Sequence, residues 1–365
     1  MGGYLVDRHF LAPQDVVDGR VEIIDASRRN RNFLVHSDLA EPLFVKQGRP
    51  GNRSVRNEAE FLRKLSNQRH SVLQSGLPTC LSYDPEANVL VTRKFERATN
   101  LGDFIVERSM LSPTFARSIG QILRGVHDVQ ILPDALDGEK PRASRVPWVF
   151  LIHRPTAAGL SDISQANLEL TKTIQSLPKV CEALDLATQL WMSNAIIHGD
   201  TKFDNFVVYG KTKEGPRRRL ALIDWEMAKQ GDPCWDLGCV FGELLRLWAA
   251  HNVSASRGGI QNANAKRQVT LHEVKNLTNA VWSGYTRFWA QDDPRHKDFL
   301  HKAALFSSIR LVQTCYEFLQ FSNEVSNEVG QLLQLAINVI TAPAQAAAQL
   351  LGLPLIESKK RVALP

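Results

Sequence analysis

The segment from His198 to Asp236 constrains the fold more than any other part of the chain. It opens with His198-Gly199-Asp200-Thr201-Lys202-Phe203-Asp204-Asn205. Leu222-Ile223-Asp224-Trp225-Glu226 follows, with 24 positions separating Asp200 from Asp224. In between, residues 206–209 have a strand pattern, 211–219 form a turn rich in Lys, Arg, Gly and Pro, and 220–223 form a second strand. A hairpin of this kind returns the chain on itself. It sets Asn205 at the foot of one strand and Asp224 at the end of the other. Asp200, Asn205 and Asp224 are therefore expected to converge on one small volume.

Such a cluster suits phosphoryl transfer. The transferring group passes through a loose transition state, so the protein mainly positions groups and neutralises charge. Magnesium prefers hard oxygen ligands, which Asp224 and the Asn205 amide oxygen supply. Asp200 is left to accept or orient the proton of an acceptor hydroxyl.

The chain around this segment has the profile of a folded, water-soluble protein: 365 residues, 44% hydrophobic and 22% charged. That length suits two domains, or one two-lobed enzyme with a cleft. Asp7, Arg8 and His9 interrupt any apolar core of a secretory signal. Val6 stands where a myristoylation motif wants Ser or Thr. Residues 329–356 are uncharged, but Gln331, Gln334, Asn338, Pro343, Gln345 and Gln349 interrupt them, so a buried helix pair is expected instead of a membrane span. The five cysteines are scattered with no C-x-x-C pair, which argues against a disulfide framework or a zinc site and for reduced thiols in the cytoplasm. A net charge of +6 favours anionic partners such as a nucleotide. Signatures of nucleic-acid-binding motifs are lacking.

Strands are expected at 21–24, 33–36, 43–46, 80–83 and 89–92, with a helix over 55–65, where Val55, Ala59, Leu62 and Leu65 recur at helical spacing. The remainder reads as helices: 101–109, 113–129, 167–176, 177–194, 237–250, 271–291 and 296–321, then the uncharged tail. Residues 252–268 are polar and read as a mobile loop or an unordered insertion.

The run H-G-D-x-x-x-x-N followed by I-D-W-E resembles the catalytic and metal loops of aminoglycoside phosphotransferases, choline kinases and their relatives. Gly231-Asp232-Pro233-Cys234-Trp235-Asp236-Leu237-Gly238 is similar to the segment that follows the metal loop in that family. The resemblance implies an α+β, bilobal protein-kinase-like fold. Its small N-terminal antiparallel β lobe with one helix, residues 1–95, would bind nucleotide. Its larger, mainly helical C-terminal lobe, residues 96–365, would carry the catalytic loop, the metal loop and the acceptor-binding helices. It also implies that Asp236 and His198 are structural clamps of the catalytic loop. ATP with Mg2+ is the implied cofactor, and GTP is the alternative nucleotide.

In the small lobe, Phe44-Val45-Lys46-Gln47 looks like the strand whose Lys contacts the α- and β-phosphates, and Asn57-Glu58-Ala59 looks like the start of the helix whose Glu holds it. Residues 25–33 would cover the phosphates but contain no glycine, so Ser27 and the guanidinium of Arg28 are the candidate contacts, a solvated basic turn being the alternative. Arg93-Lys94-Phe95 is the expected connector, offering backbone to the purine edge. Lys202 would stabilise the transferring group or stand as a surface cation. Glu226 would support the metal site or cap the next turn.

The acceptor is the least legible part. The run S-R-R-N-R-N-F followed by F-V-K-Q looks like the kinase components of class V lanthipeptide and thioamitide pathways. That resemblance implies phosphorylation of Ser or Thr in a precursor peptide, ahead of elimination by a partner lyase. The alternatives are a small-molecule hydroxyl kinase acting on an aminoglycoside, sugar or amino alcohol, and an inactive kinase fold that binds peptides. Trp148, His153 and Arg154 fall on the expected acceptor side, or serve packing alone.

Overall fold

The alternation of apolar residues along positions 21–93 is realised as one antiparallel sheet of five strands in the computed structural model. The structure describes residues 1–27, 30–39, 41–67, 71–108, 111–129, 146–160, 163–210, 218–256, 269–290, 293 and 295–353. The chain begins with α1 (Gly2–Asp7), α2 (Pro13–Val17), β1 (Val21–Asp25), β2 (Arg31–Ser37), β3 (Leu43–Gln47), α3 (Ser54–Ser66) and α4 (Ser71–Gly76). Next come β4 (Cys80–Asp84), β5 (Val89–Arg93), β6 (Thr99–Asn100), α5 (Leu101–Arg108), α6 (Pro113–His127), α7 (Ala157–Leu160), α8 (Gln165–Gln175) and α9 (Pro178–Leu190). Then follow β7 (Ala195–Ile197), β8 (Phe206–Tyr209), β9 (Arg219–Leu222) and β10 (Lys229–Gly231). Five helices close the described chain: α10 (Pro233–Ser256), α11 (Leu271–Tyr285), α12 (Arg295–Phe318), α13 (Asn327–Thr341) and α14 (Pro343–Gln349). These elements fall into two compact units: Met1–Phe104 with Phe203–Ala228, and Ile105–Lys202 with the chain from Lys229 onward.

In the first unit the strand order is β1-β2-β3-β5-β4. Phe33, Val45 and Val91 lie side by side in register, and with Leu5, Val35 and Leu43 they build one apolar face. Strand residues alternate between faces, so Lys46 points away from this core although its neighbour Val45 is fully buried. α3 buries Val55, Ala59, Leu62 and Leu65 at the expected spacing, and Glu58 on the same helix is only 4% exposed. A second sheet in this unit has the order β6-β8-β9 and contains the expected hairpin, with Phe206 opposite Leu222.

The short helix α1 contains Gly2 and Gly3, which are poor helix formers, and the sequence pattern does not announce it. Docking of Leu5 into the sheet core holds it, so tertiary packing overrides propensity there.

The second unit is helical apart from the pair β7 and β10. Ser112 caps α6 by accepting from Phe115 N–H at 3.3 Å, with Pro113 in the first turn, as its sequence signals. α11 stops at Tyr285 and not near residue 291 as expected. The N–H and hydroxyl of Thr286 both turn back to Trp282 O at 2.9 Å, and Trp289 folds over Trp282 and Tyr285. α10 runs on to Ser256, so the polar stretch expected as a loop from 252 begins helical, and residues 257–268 lie outside the described residues. The uncharged tail forms α13 and α14, which pack on α12. Among the described residues no helix is long and apolar enough to cross a membrane. All five cysteines are free thiols.

α6 and α11 approach closely through a reciprocal pair of glycines. A Cβ on Gly120 would lie 2.0 Å from Val281 O, and one on Gly284 would lie 2.1 Å from Arg117 O. Alanine gains up to about 1 kcal/mol of helix propensity over glycine, but a backbone clash of this kind costs about 1–3 kcal/mol or more. Gly120→Ala and Gly284→Ala are each expected to lower the urea midpoint despite the better helix former, and a raised midpoint would contradict the close packing.

Candidate active site

In the first unit three charged side chains meet. Lys46 Nζ donates to Glu58 Oε2 at 2.6 Å and to Asp224 Oδ1 at 2.5 Å. The side chains of Lys46 and Glu58 are 7% and 5% exposed, while that of Asp224 is 35% exposed. Burial pushes the Lys46 ammonium down, yet Glu58 and Asp224 together hold it well above the ordinary lysine value. Burial pushes the Glu58 carboxyl up, only partly countered by Lys46. The trio is therefore a fixed cation between a buried carboxylate and a more accessible one.

The hairpin positions Asp224. Ile223 N–H donates to Asn205 O at 2.8 Å, closing the hairpin one step beyond the Phe206–Leu222 pair. Asp224 then takes a left-handed conformation, φ 67° and ψ 59°, which a non-glycine residue adopts at a cost of about 1–2 kcal/mol. This kink ends the strand and begins the tight turn Trp225–Met227. Asp224 Oδ2 has no hydrogen-bond partner among the described residues. A carboxylate oxygen beside a hairpin base that bears the Asn205 amide suits a magnesium ion, which takes one or two protein oxygens and completes its shell with phosphates and water. Among the described residues no cluster of three His, Cys, Asp or Glu side chains able to hold a metal is present, and magnesium of this kind does not need one.

Glu226 is bonded to two other segments. Its Oε2 accepts from Asn30 Nδ2 at 2.9 Å, and its backbone oxygen accepts from Asn57 Nδ2 at 3.0 Å. Asn57 also reaches Ala228 O at 2.8 Å, so α3 is bonded to the turn that follows Asp224. Asn30, 4% exposed, thereby ties the glycine-free β1–β2 loop to Glu226. Asn30 is not among the contacts the sequence leads one to expect in this loop, which are its neighbours Ser27 and Arg28. Ser27 is exposed and closes its own turn, accepting from Asn32 N–H at 3.1 Å. Arg28 lies outside the described residues.

At the expected connector, Arg93 pairs with Glu41 at 2.6 Å and Phe95 packs on Tyr209 with centroids 4.5 Å apart and ring planes tilted by 44°. The N–H groups of Arg93 and Lys94 are engaged by Thr79 O and Pro42 O, whereas that of Phe95 has no backbone partner among the described residues.

The second unit holds the other predicted residues. Asp236, fully buried, accepts from His198 N–H at 2.7 Å and from Gly199 N–H at 2.9 Å. Trp235 Nε1–H donates to Gly199 O at 3.0 Å, and Thr201 Oγ–H donates to Asp236 O at 2.7 Å. Gly199 sits at φ +84°, a conformation glycine adopts without strain. His198 Nδ1 accepts from Asp200 N–H at 3.3 Å. The loop carrying Asp200 is thus bonded from both sides.

Lys202 Nζ lies 2.9 Å from Asp200 Oδ2. Burial pushes the Asp200 carboxyl up, but Lys202 and Arg310 outweigh it and hold Asp200 below the usual carboxylate range. Burial lowers and Asp200 raises the Lys202 ammonium, with a net rise. Both are charged at neutral pH.

Two supporting residues escaped the sequence reading. His127 contacts Asp236 Oδ2 through Nε2 at 3.1 Å and the Tyr285 hydroxyl through Nδ1 at 3.0 Å. Arg310 on α12 is 2% exposed and donates from both terminal nitrogens to Glu317, at 3.0 and 3.3 Å. A single Arg inside the otherwise uncharged run 304–312 is the signal that could have flagged it. His153 and Arg154 both grip Asp185, at 3.0 and 2.5 Å, a packing role. Trp148 remains 48% exposed against Tyr316.

The family model described as "Phosphotransferase enzyme family" matches residues 20–274. No curated protein sequence matches the chain. Among solved structures, a choline kinase from Cryptosporidium parvum is similar at TM-score 0.54 and 11% identity, covering 95% of this chain and 97% of that one. A choline kinase from Streptococcus pneumoniae gives TM-score 0.48 and 16% identity, covering 92% of this chain and 99% of that one. A macrolide 2'-phosphotransferase from Brachybacterium faecium gives 0.47 and 12%, covering 93% and 97%.

Proposed function

The chain belongs to the phosphotransferase enzyme family, and from that premise we propose that it moves the γ-phosphoryl group of ATP or GTP, with Mg2+, to the hydroxyl of a small-molecule acceptor. The observation that carries this reading is Lys46 held at 2.6 Å by buried Glu58 and at 2.5 Å by Asp224. A lysine held by a buried glutamate from the neighbouring helix matches the Lys–Glu pair that protein kinases need in place to meet nucleotide phosphates. Lys46 contacts the α- and β-phosphates, and Asp224 with Asn205 holds the magnesium, which supplies neutralisation of phosphate charge. Asp200 receives the acceptor proton, and Lys202 stabilises the transferring group. Glu226 fixes the loop over the phosphates through Asn30, and the backbone at Phe95 offers its N–H to the purine.

A small-molecule acceptor is supported by the similar choline kinase fold. A precursor peptide with a partner lyase is the second reading. It is supported by the run Ser27–Phe33 and the net charge of +6, which would suit an acidic leader peptide.

The test is transfer from labelled ATP and GTP, with and without Mg2+, to small alcohols and to Ser-containing peptides, read by mass spectrometry for an added phosphate. Metal-dependent nucleotide binding with transfer to at least one alcohol is expected. A protein that binds no Mg-nucleotide would be an inactive kinase fold, and this reading would fall.

A further inference from the structure

On the phosphotransferase reading the acceptor needs a recognition surface of its own, and the buried Arg310 takes no part in the chemistry assigned above.

Arg310 lies in α12 with its stem against α10, where a Cβ on Gly242 would be 3.4 Å from Arg310 Cγ. Its two terminal nitrogens grip the Glu317 carboxylate, and Gln313 Nε2 donates to the same carboxylate at 2.9 Å. Glu317 is held rigidly yet its side chain is 40% exposed. The pair also stands within electrostatic reach of the proposed catalytic loop: Arg310 acts on Asp200, and Glu317 acts on Lys202.

Next to Glu317 on α12 is Tyr316. Its ring meets Trp148 edge-on, with centroids 4.7 Å apart, and its hydroxyl has no hydrogen-bond partner among the described residues. Asn167 Nδ2 donates to Tyr316 O at 3.1 Å and fixes this end of the helix. The half-exposed Trp148, the Tyr316 hydroxyl and the Glu317 carboxylate therefore gather about the C-terminal turn of α12.

We propose that Trp148, Tyr316 and Glu317, with Arg310 behind them, form the acceptor-recognition wall, and that it takes a neutral, polyhydroxylated molecule of glycoside type. Two observations carry the choice. The wall and the catalytic loop are charge-balanced, with Asp200 and Glu317 against Lys202 and Arg310. A polycation or a polyanion would have to compete with one of these ion pairs, whereas a neutral ligand leaves both intact. Aromatic surface beside a carboxylate, an amide and a hydroxyl also matches a molecule with apolar C–H faces and a rim of hydroxyls. Glu317 accepts ligand hydroxyls, and the Tyr316 hydroxyl both donates and accepts.

The test uses protein saturated with Mg2+ and a non-hydrolysable ATP analogue. Binding of phenyl β-glucoside, kanamycin and an acidic Ser-containing peptide is measured by calorimetry. The variants are Trp148→Ala, with Trp148→Phe as the conservative control, and Glu317→Gln. The glycoside is expected to bind the native protein best. Its affinity should fall about tenfold in Trp148→Ala and recover largely in Trp148→Phe, in keeping with the weight single aromatic contacts carry. Glu317→Gln should weaken the glycoside without weakening the nucleotide. Because Glu317→Gln removes the counter-charge of a buried arginine, the exposed Trp148 carries the decision if that variant unfolds. Tighter binding of kanamycin or the acidic peptide than of the glycoside overturns the proposal. So does a native protein that binds nucleotide but not the glycoside, or a Trp148→Ala variant with unchanged glycoside affinity. Failure to bind the nucleotide analogue strikes instead at the phosphotransferase reading.

Discussion

Asp200→Asn is expected to lower the turnover number about 1,000-fold, within the range of about 100- to 10,000-fold typical of a lost general base. The same variant should hold Mg-nucleotide within about threefold of the native affinity, because the change removes a charge acting on the acceptor and not a group assigned to the nucleotide. Asparagine matches aspartate in shape, and the backbone around position 200 is held by Asp236 and His198 at 2.7–3.3 Å, so the loop should keep its course. The pH dependence follows from the direction of the Asp200 shift. Burial raises its carboxyl, Lys202 and Arg310 oppose and outweigh that rise, and the net position is below the usual carboxylate value. A carboxylate with a depressed native value adds stability above its unfolded value and loses it only as the pH falls through the depressed one. Native turnover should therefore show no acid limb from Asp200 between pH 5 and 8. Undiminished turnover by Asp200→Asn, measured with saturating nucleotide, removes Asp200 from the role of base.

The parts of this protein that were legible in the sequence are those whose partners lie nearby along the chain. The strands at 21–93 and the helix over 54–66 announce themselves through periods of 2 and 3.6 that one face of each must satisfy. The hairpin between Phe206 and Leu222 is equally local, and it sets Asp224 directly after Ile223, whose N–H reaches Asn205 O. Elements held by distant partners were not legible. α1 depends on a sheet core assembled from residues 33–91, and β6 is only two residues long. The supporting side chains followed the same rule. His127 and Asp236 are 109 positions apart, and a lone histidine at the end of a helix gives no sign of which carboxylate it will meet. Asn30 and Glu226 are 196 positions apart, and the basic neighbours of Asn30 drew attention away from it. Arg310 left a readable trace, because a lone charge inside an otherwise uncharged stretch of helix must be paired to be buried.

Lys46 and Glu58 lend themselves to a sharper test, because their pairing is a question of stability as well as function. Lys46→Met is expected to cost about 3–5 kcal/mol, the usual penalty for leaving one member of a buried ion pair alone. Asp224 cannot relieve the loss, since it too carries negative charge and also bonded Lys46. In the variant, burial raises the Glu58 carboxyl with no Lys46 to oppose it, continuing a direction already present in the native protein. A carboxyl whose folded value lies above its unfolded one contributes stability that is present below the unfolded value and lost as the pH rises through the folded one. The deficit of Lys46→Met, read from urea midpoints, should therefore deepen between pH 5 and pH 8. Replacing both charges, as Lys46→Met with Glu58→Leu, should recover more than half of the lost stability, because a well-packed apolar pair avoids the desolvation of either ion. Nucleotide affinity should stay lost in that double variant, since the cation assigned to the α- and β-phosphates is gone. Recovery of nucleotide binding along with stability would mean that Lys46 only balances Glu58, and the phosphate contact would have to be sought elsewhere.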